Sequence, residues 1–437
     1  MSSRTKTTGT KAEAEPPLVP KLRFPAFRGA AGWDASFLGE LSEVVRGGSP
    51  RPIDGFITTS QDGLNWLKIG DVDKEVKYIT NTTEKVRPEA LSKTRVVNPG
   101  DLILSNSMSF GRPYILQITT CIHDGWIAIT KISKKTDRDF LYYLISGPSS
   151  QSYFLDNAAG SGVLNLNADI IKAMRVCIPK APEQQKIAEC LSSVDELMAA
   201  QARKVDALKI HKKGLMQQLF PREGETQPRL RFPEFQNAGE WMEASLGELC
   251  DRIMDGTHFS PKTKGGPRPY LTSKNVKDGR IDLSNLSYIS EEEHSEIYKR
   301  CPVKLRDVLL TKDGANTGNC AVNTLDFEFS LLSSVAVLRG KPLVILQNFL
   351  FQSILSDRVQ TLISESMSGQ AITRITLAKI GGFLIPVTST AEQQRIADCL
   401  TTLDALITAE TQKHEALKTH KKGLMQQLFP CPEAVEA

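Results

Sequence analysis

Apolar residues recur at alternating steps of four and three over two long stretches of the chain. In the first, Ile187, Leu191, Val194, Met198, Val205, Leu208, Leu215 and Leu219 form the series, with Gln201 and Lys212 filling its two gaps. In the second, the series is Ile396, Leu400, Leu403, Ile407, Leu417, Leu424 and Leu428, with Glu410, His414 and Lys421 as polar layers. This is an a/d heptad seam of roughly five heptads, and it predicts two helices of about 55 Å at 1.5 Å per residue. A single helix is too thin to bury such a stripe, so each needs a partner, most simply the other.

The two stretches are also copies in letters. HKKGLMQQLFP at 211–221 returns unchanged at 420–430, 209 positions later, and PEQQKIAECL at 182–191 returns as AEQQRIADCL at 391–400. Ahead of each helix, LRFPAF from Leu22, Trp33 and LGEL from Leu38 are answered by LRFPEF from Leu230, Trp241 and LGEL from Leu246, now at an offset of 208. The chain is one half written twice, with small insertions between the halves. Packing alone does not require Lys213, Gln217 and Gln218 to reappear as Lys422, Gln426 and Gln427. A surface kept in both halves suggests one partner species docking twice about a pseudo-twofold axis.

Between LGEL and its helix, each half holds about 140 residues of short β-rich runs separated by turn signals. The first half offers runs from Asn65, at 76–80, from Pro99 and from Gly125; the second offers runs from Arg268, at 280–289, from Arg306 and from Ser333. Each half then predicts a short helix, at 139–145 and 344–356, a glycine loop at 160–162 or 367–369, and a strand ending in Ile178-Pro179 or Ile385-Pro386. The expected class is α+β, with two pseudo-symmetric β-rich domains separated by the helices. The expected boundaries are a disordered arm at 1–20, a first domain at 21–180, a helix at 181–221, a linker and second domain at 222–388, a helix at 389–430 and a tail at 431–437. Element order is kept between the halves while residue identity is mostly lost. A device that holds one partner twice while contacting two different targets would look like this.

Composition adds limits. The 54 Lys and Arg against 50 Asp and Glu give a charge of +4, which permits a nucleic-acid binder only if the cations cluster. The eight cysteines form no CxxC pair and read as reduced structural thiols rather than metal ligands. With no signal-peptide core and no apolar run long enough for a membrane, the cytoplasm is expected. There is no GxxxxGK[ST] loop, no HExxH helix and no Asn/Asp-Pro-Pro-aromatic tetrapeptide, so catalysis by this chain is not expected, and no metal site either.

The loops between strands are instead loaded with amides, hydroxyls and cations, the groups that read base edges and hold phosphates. In the first half the candidates for DNA contact are Arg46, Arg51, Lys68, Asn106, Ser107, Arg112, Asn165 and Asn167. In the second they are Thr257, His258, Lys262, Lys264, Arg268, Tyr270, Lys274, Asn275, Lys312, Asn316, Thr317, Asn319, Gln370, Thr373 and Arg374.

Taken together, the EQQ-I helix starts at Glu183 and Glu392, the KKGLMQQLF helix ends, the series from Asp255 to Ser290 and the GDLILS…GR pattern from Gly100 to Arg112 resemble the specificity subunit of a type I DNA restriction-modification system. The first half departs from the pattern, with Gly47-Gly48-Ser49-Pro50 near where the second has Asp-Gly-Thr-His. The resemblance implies two target-recognition domains, each reading half of a split, asymmetric DNA site, with the antiparallel helix pair as spacer. It implies two methyltransferase subunits as partners, binding S-adenosylmethionine, and restriction subunits that use ATP and Mg; no cofactor would belong to this chain. The rival expectation is a coiled-coil adaptor or decoy whose domains bind proteins.

Overall fold

The computed structural model describes residues 18–73, 76–106, 110–158, 165–263, 265–367 and 374–430. They fall into two units, one of residues 1–200 with 414–437 and the other of 201–413. Each long helix, Ala181–Leu219 and Thr390–Leu428, therefore gives one part of its length to each unit. Both helices stop just ahead of a proline, Pro221 and Pro430, whose ring disfavours helical geometry in the residue before it.

Within the first unit, alternation along the strands sets the layers, because successive side chains of a strand point to opposite faces. The central sheet has the order Glu43–Arg46, Trp126–Thr130, Leu102–Ser105, Pro113–Leu116, Tyr78–Ile79. Leu102, Leu104, Ile127 and Ile129 face the helices Arg138–Ser146 and Pro148–Asn157 and the ends of the long helices. Ile103, Tyr114, Trp126 and Ala128 face the other way, onto Leu67, Val97 and Ile122 of a second five-stranded sheet.

The second unit repeats this plan. Its central sheet runs Cys250–Asp255, Val335–Gly340, Val308–Thr311, Cys320–Val322. Val308, Leu310, Ala336 and Leu338 face the helices, whereas Leu309, Val335 and Val337 pack on Leu271 and Leu331.

The letter-for-letter repeats are explained largely by what they hold together inside each unit. Arg23 pairs with Glu183 through Nη2 (2.7 Å) and donates to the carbonyls of Ala30 and Ala31; Arg231 pairs with Glu392 through Nε (2.7 Å) and donates to those of Ala238 and Gly239. Each pair is almost fully buried, and each carboxylate lies in the first turn of its long helix, where the helix dipole favours negative charge. Gln184 accepts from the Asp137 N–H and donates to the carbonyls of Lys135 and Pro179, and Gln393 repeats this with Leu346, Val344 and Thr388. The LF at the helix ends serves as a core anchor: Phe429 lies 6.3 Å from Trp33 in the first unit, and Phe220 lies 6.1 Å from Trp241 in the second. Each head is thus closed by the start of the helix that follows it and the end of the other helix.

The helix pairs are antiparallel. In the second unit Gln201 meets Glu410 and Lys212 meets Asp404; in the first, Asp195 meets Lys421 while Ile187 and Leu191 share a core with Leu428. At the seam ends, Leu424 and Leu428 pack into the first core, and Leu215, Leu219, Ile396 and Leu400 into the second. Val194, Leu208, Leu403 and Leu417 are half-buried along the seam.

Several expected elements are refined. The run at 76–80 keeps only Tyr78–Ile79 as strand, and the run at 280–289 splits into Arg280–Ile281 and Ser287–Ile289. The short helices are Arg138–Ser146 and Gln347–Leu355, and each is followed by a helix the sequence reading does not anticipate, Pro148–Asn157 or Asp357–Met367. Glu291–Arg300 is a further unanticipated helix, although Ser290 and Glu293 form a capping box at its start. Of the expected arm, 1–17 lies outside the described residues, but its last residues belong to the first unit: Trp33 donates its N–H to the Leu18 carbonyl and Pro20 is buried. The tail at 431–437 and the loop residues 160–162 and 368–369 also lie outside the described residues. The seven described cysteines are free thiols; burial pushes Cys121 up to about 11 and Cys250 and Cys301 up to about 12, so these three stay protonated at neutral pH.

Candidate nucleic-acid interface

In each unit the loops that follow the first strand of the central sheet and its neighbours lie at one end of that sheet, while Lys68, Arg268, Tyr270, Lys274 and Asn275 belong to the second sheet of their unit or follow its strands. Arg46 is in register with Ile127 and Ser105 with Trp126; correspondingly, Asp255 is in register with Ala336 and Thr311 with Val335. A glycine follows the first strand of each sheet because nothing else fits. A Cβ on Gly47 would meet the His123 carbonyl oxygen at 2.1 Å, and one on Gly256 would meet that of Leu331 at 1.9 Å. The Asp-Gly-Thr-His tetrad and its substitute in the first half thus share the glycine that lets the loop cross the sheet end.

At this end, one corner is built identically from backbone and differently from side chains. In the first unit the Asn106 N–H donates to the Gly125 carbonyl (3.0 Å), and its own carbonyl accepts from Leu166 (3.1 Å). In the second, the Lys312 N–H donates to the Ser334 carbonyl (2.9 Å), and its carbonyl accepts from Ile375 (2.9 Å). The Asn106 amide is buried and spends its Nδ2 on the Asp124 carbonyl (3.0 Å). The Lys312 ammonium is buried between two carboxylates, 3.3 Å from Asp255 Oδ2 and 3.5 Å from Asp313 Oδ2.

Around each corner lie the exposed groups. In the first unit Asp124 gathers them: the Ser49 hydroxyl donates to its carboxylate (2.9 Å), Arg51 stands 3.2 Å away and Arg46 Nε donates to its carbonyl (2.9 Å). Burial works against the charge of Asp124, yet Ser49, His123, Arg51 and Arg46 together hold its carboxyl below the ordinary value. Arg51 is 82% exposed, and Arg46 and Asn165 are exposed as well. In the second unit His258 Nε2 lies 3.4 Å from Asp255, and Arg374 Nε lies 3.6 Å from Asp313, with both basic side chains more than half exposed. Lys262, Lys274 and Asn316 are exposed nearby in sequence.

Other candidates are buried or already hold partners within their own head. Asn106, Thr257, Tyr270, Asn275 and Lys312 are inside the heads. The Asn275 amide is consumed by the Thr272 N–H and the carbonyls of Asp282 and Asn285, and the Thr257 hydroxyl accepts from the Phe259 N–H. Asn167 is exposed but serves as a helix N-cap, accepting from the Ile170 N–H (2.8 Å). Arg268 is tied through two nitrogens to Glu291 (2.7 and 2.8 Å), and Lys68 is paired with Glu84. Arg112 is half-buried; Thr317 donates to the Gly314 carbonyl and Asn319 to that of Val276. Ser107, Lys264, Gln370 and Thr373 lie outside the described residues. What sequence reasoning misses are the carboxylates that organise each end, Asp124, Asp255 and Asp313. Their signal is present: each is the Asp of an Asp-Gly pair inside a loop rich in donors.

Two heads of one plan, each with exposed cations and amides at a sheet end, are the surfaces of a tandem recognition protein. Comparison with known proteins gives the family. Residues 31–209 and 238–419 each match the model of the type I restriction modification DNA specificity domain, so the chain belongs to that family and is a specificity subunit carrying two such domains. It is 23% identical to the type I restriction enzyme MjaVIII specificity subunit of Methanocaldococcus jannaschii over 409 residues, 91% of this chain and 92% of that one. It is likewise 23% identical to the putative MjaX specificity subunit of the same organism over 425 residues, 91% of this chain and 92% of that one. Among solved structures, the type I restriction-modification S subunit from M. genitalium shares the fold at a TM-score of 0.56 and 15% identity, over 94% of this chain and 99% of that one. A chain from a structure describing assembly and conformational transition of the type I R-M system aligns at a TM-score of 0.57 and 18% identity, over 91% of this chain and 98% of that one. The adaptor or decoy reading is not favoured. Among the described residues, no helix is long and apolar enough to cross a membrane.

Proposed function

We propose that each unit reads one half of a two-part, asymmetric DNA site, and that the helix pair sets the distance between the halves. The observation that carries this is one backbone corner, at Asn106 in one head and Lys312 in the other, ringed by unlike exposed groups: Arg46, Arg51 and Asn165 in the first and His258 and Arg374 in the second. One frame presenting two different sets of exposed donors suits two different base sequences. The exposed Arg46, Arg51 and Asn165, and in the second head His258, Lys262, Lys274, Asn316 and Arg374, are the groups assigned to the duplex. Arginine suits guanine and asparagine adenine, each through two hydrogen bonds in the major groove.

The boundaries assigned to this function are 21–180 and 222–388 for the heads and 181–221 and 389–430 for the helices. Lys213, Gln217 and Gln218 are exposed, as are Lys422, Gln426 and Gln427. Such a repeated face suits two methyltransferase subunits, with restriction subunits joining the full complex in the cytoplasm. S-adenosylmethionine, ATP and Mg belong to those partners, and this chain is assigned no catalysis.

Methylation mapping in cells expressing the complete system tests the reading. The expected result is one two-part motif with a fixed gap, its halves about one helical turn or roughly 10 bp apart. Inserting four residues into both helices is expected to lengthen the gap while leaving both halves unchanged. Methylation without sequence preference, or an unchanged gap, would overturn it.

A further inference from the structure

One junction is kept in both units while the sheet ends diverge. In the first unit Asp195, on the first long helix, accepts from the Tyr143 hydroxyl through Oδ2 (2.6 Å) and from the Lys421 ammonium through Oδ1 (2.5 Å). In the second unit Asp404 accepts from the Gln352 amide through Oδ2 (2.8 Å) and from Lys212 through Oδ1 (2.7 Å). All three positions correspond at an offset of 209: Tyr143 with Gln352, Asp195 with Asp404, and Lys212 with Lys421. Tyr143 and Gln352 are fully buried on the equivalent head helices Arg138–Ser146 and Gln347–Leu355. Each lysine stands on the opposing long helix and is a polar layer of its seam. One carboxylate therefore ties three elements: the head, the helix that leaves it and the helix that returns to it.

We infer that Asp195 and Asp404 are positioning residues, each using its two oxygens to fix how a head is seated on its helix pair and how that pair is registered. A polar layer at a seam position sets register because sliding by one turn leaves a charge without its partner. Here the same carboxylate also holds the head, so register and seating are locked by one group. This rests on the reading that the helices set the gap between half-sites. Its consequence is that loosening either carboxylate changes which gaps are tolerated and not which bases are read.

The test uses the full chain assembled with its methyltransferase on DNA in which both half-sites are constant and the gap varies by single base pairs. With Asp404→Asn or Asp195→Asn, the preference for the native gap over its neighbours is expected to fall on the order of tenfold, the scale of one charge-assisted hydrogen bond. Exchanging the charges, with Lys212→Asp and Asp404→Lys together, is expected to restore strictness. The ammonium moved to position 404 then faces both the carboxylate moved to position 212 and the Gln352 Oε1 atom, which is buried without a hydrogen bond. Should Asp404→Asn fail to assemble, Gln352→Met removes only the head's contact and is read in the same way. Variants as strict as the native chain, altered half-site bases, or failure of the exchange to restore strictness would overturn the inference. A native chain with no preferred gap would instead sink the reading on which it rests.

Discussion

At the sheet end proposed for reading, a neutral amide, Asn106, fills the corner of the first head that a buried cation, Lys312, fills in the second. The acid is moved as well. In the first head it is Asp124, on the turn that enters the strand Trp126–Thr130; in the second it is Asp255, at the end of Cys250–Asp255, where the first head has Arg46. The backbone bonds that hold the two corners are the same. The same backbone frame thus carries charges of different sign and place in the two heads.

Removing a charge should separate the two corners most strongly. Lys312→Met leaves Asp255 and Asp313 facing each other, and a loss of about 3 kcal/mol is expected for the second unit, against about 1–2 kcal/mol for Asn106→Ala in the first. Hydrogen exchange resolved by unit checks this, and equal losses would mean that the Lys312 cluster is not a buried ion network. Next in size come the exposed cations. Arg51→Ala and Arg374→Ala should each weaken DNA binding by about 1–3 kcal/mol where the side chain contacts a base through two bonds. Titrations over a range of salt distinguish such a contact from a phosphate contact, whose loss weakens all sequences alike.

Smaller effects probe where the heads are the same. Asn167 and Thr376 cap equivalent short helices, so replacing either with Ala should cost about 1 kcal/mol of stability and leave sequence preference unchanged. A changed preference with Asn167→Ala would assign that exposed residue to the duplex as well as to the cap. The smallest expected effect is acidic. Because the carboxyl of Asp124 sits below its ordinary value, its contribution is present above that value and is lost as pH falls through the lowered one. Asp124 is over a third exposed, so solvent screens the gain, and Asp124→Asn should flatten only a slight loss of stability of the first head on acidification below about pH 4.

The strut and the frame were legible because their patterns are periodic or repeated. The heptad steps lie within the long helices Ala181–Leu219 and Thr390–Leu428, and the repeated letters include Arg23, Glu183 and Gln184, buried groups that lock the first head. The helix Pro148–Asn157 was not legible, since it carries little apolar periodicity and is held by bonds such as Gln151 to the carbonyls of Gly111 and Ile145, whereas Asp357–Met367, with Val359 and Ile363 buried on one face, carries a helical pattern that the sequence analysis passed over. Loop composition drew together residues that flank one end of each central sheet but could not separate exposed donors from buried framework. Asn106 and Arg51 look alike as donors in a sequence; only burial separates the amide that closes a turn from the guanidinium that pairs with Asp124 while 82% exposed.

Whether two unlike reading ends sit on one repeated frame is decided by methylation mapping of the complete system with Arg51→Ala and Arg374→Ala, made separately. The first variant is expected to relax the bases of one half-site only and the second those of the other half-site only, with the gap unchanged in both. Relaxation of the same half-site by both variants, or of both half-sites by either, would refute the division of labour between the heads.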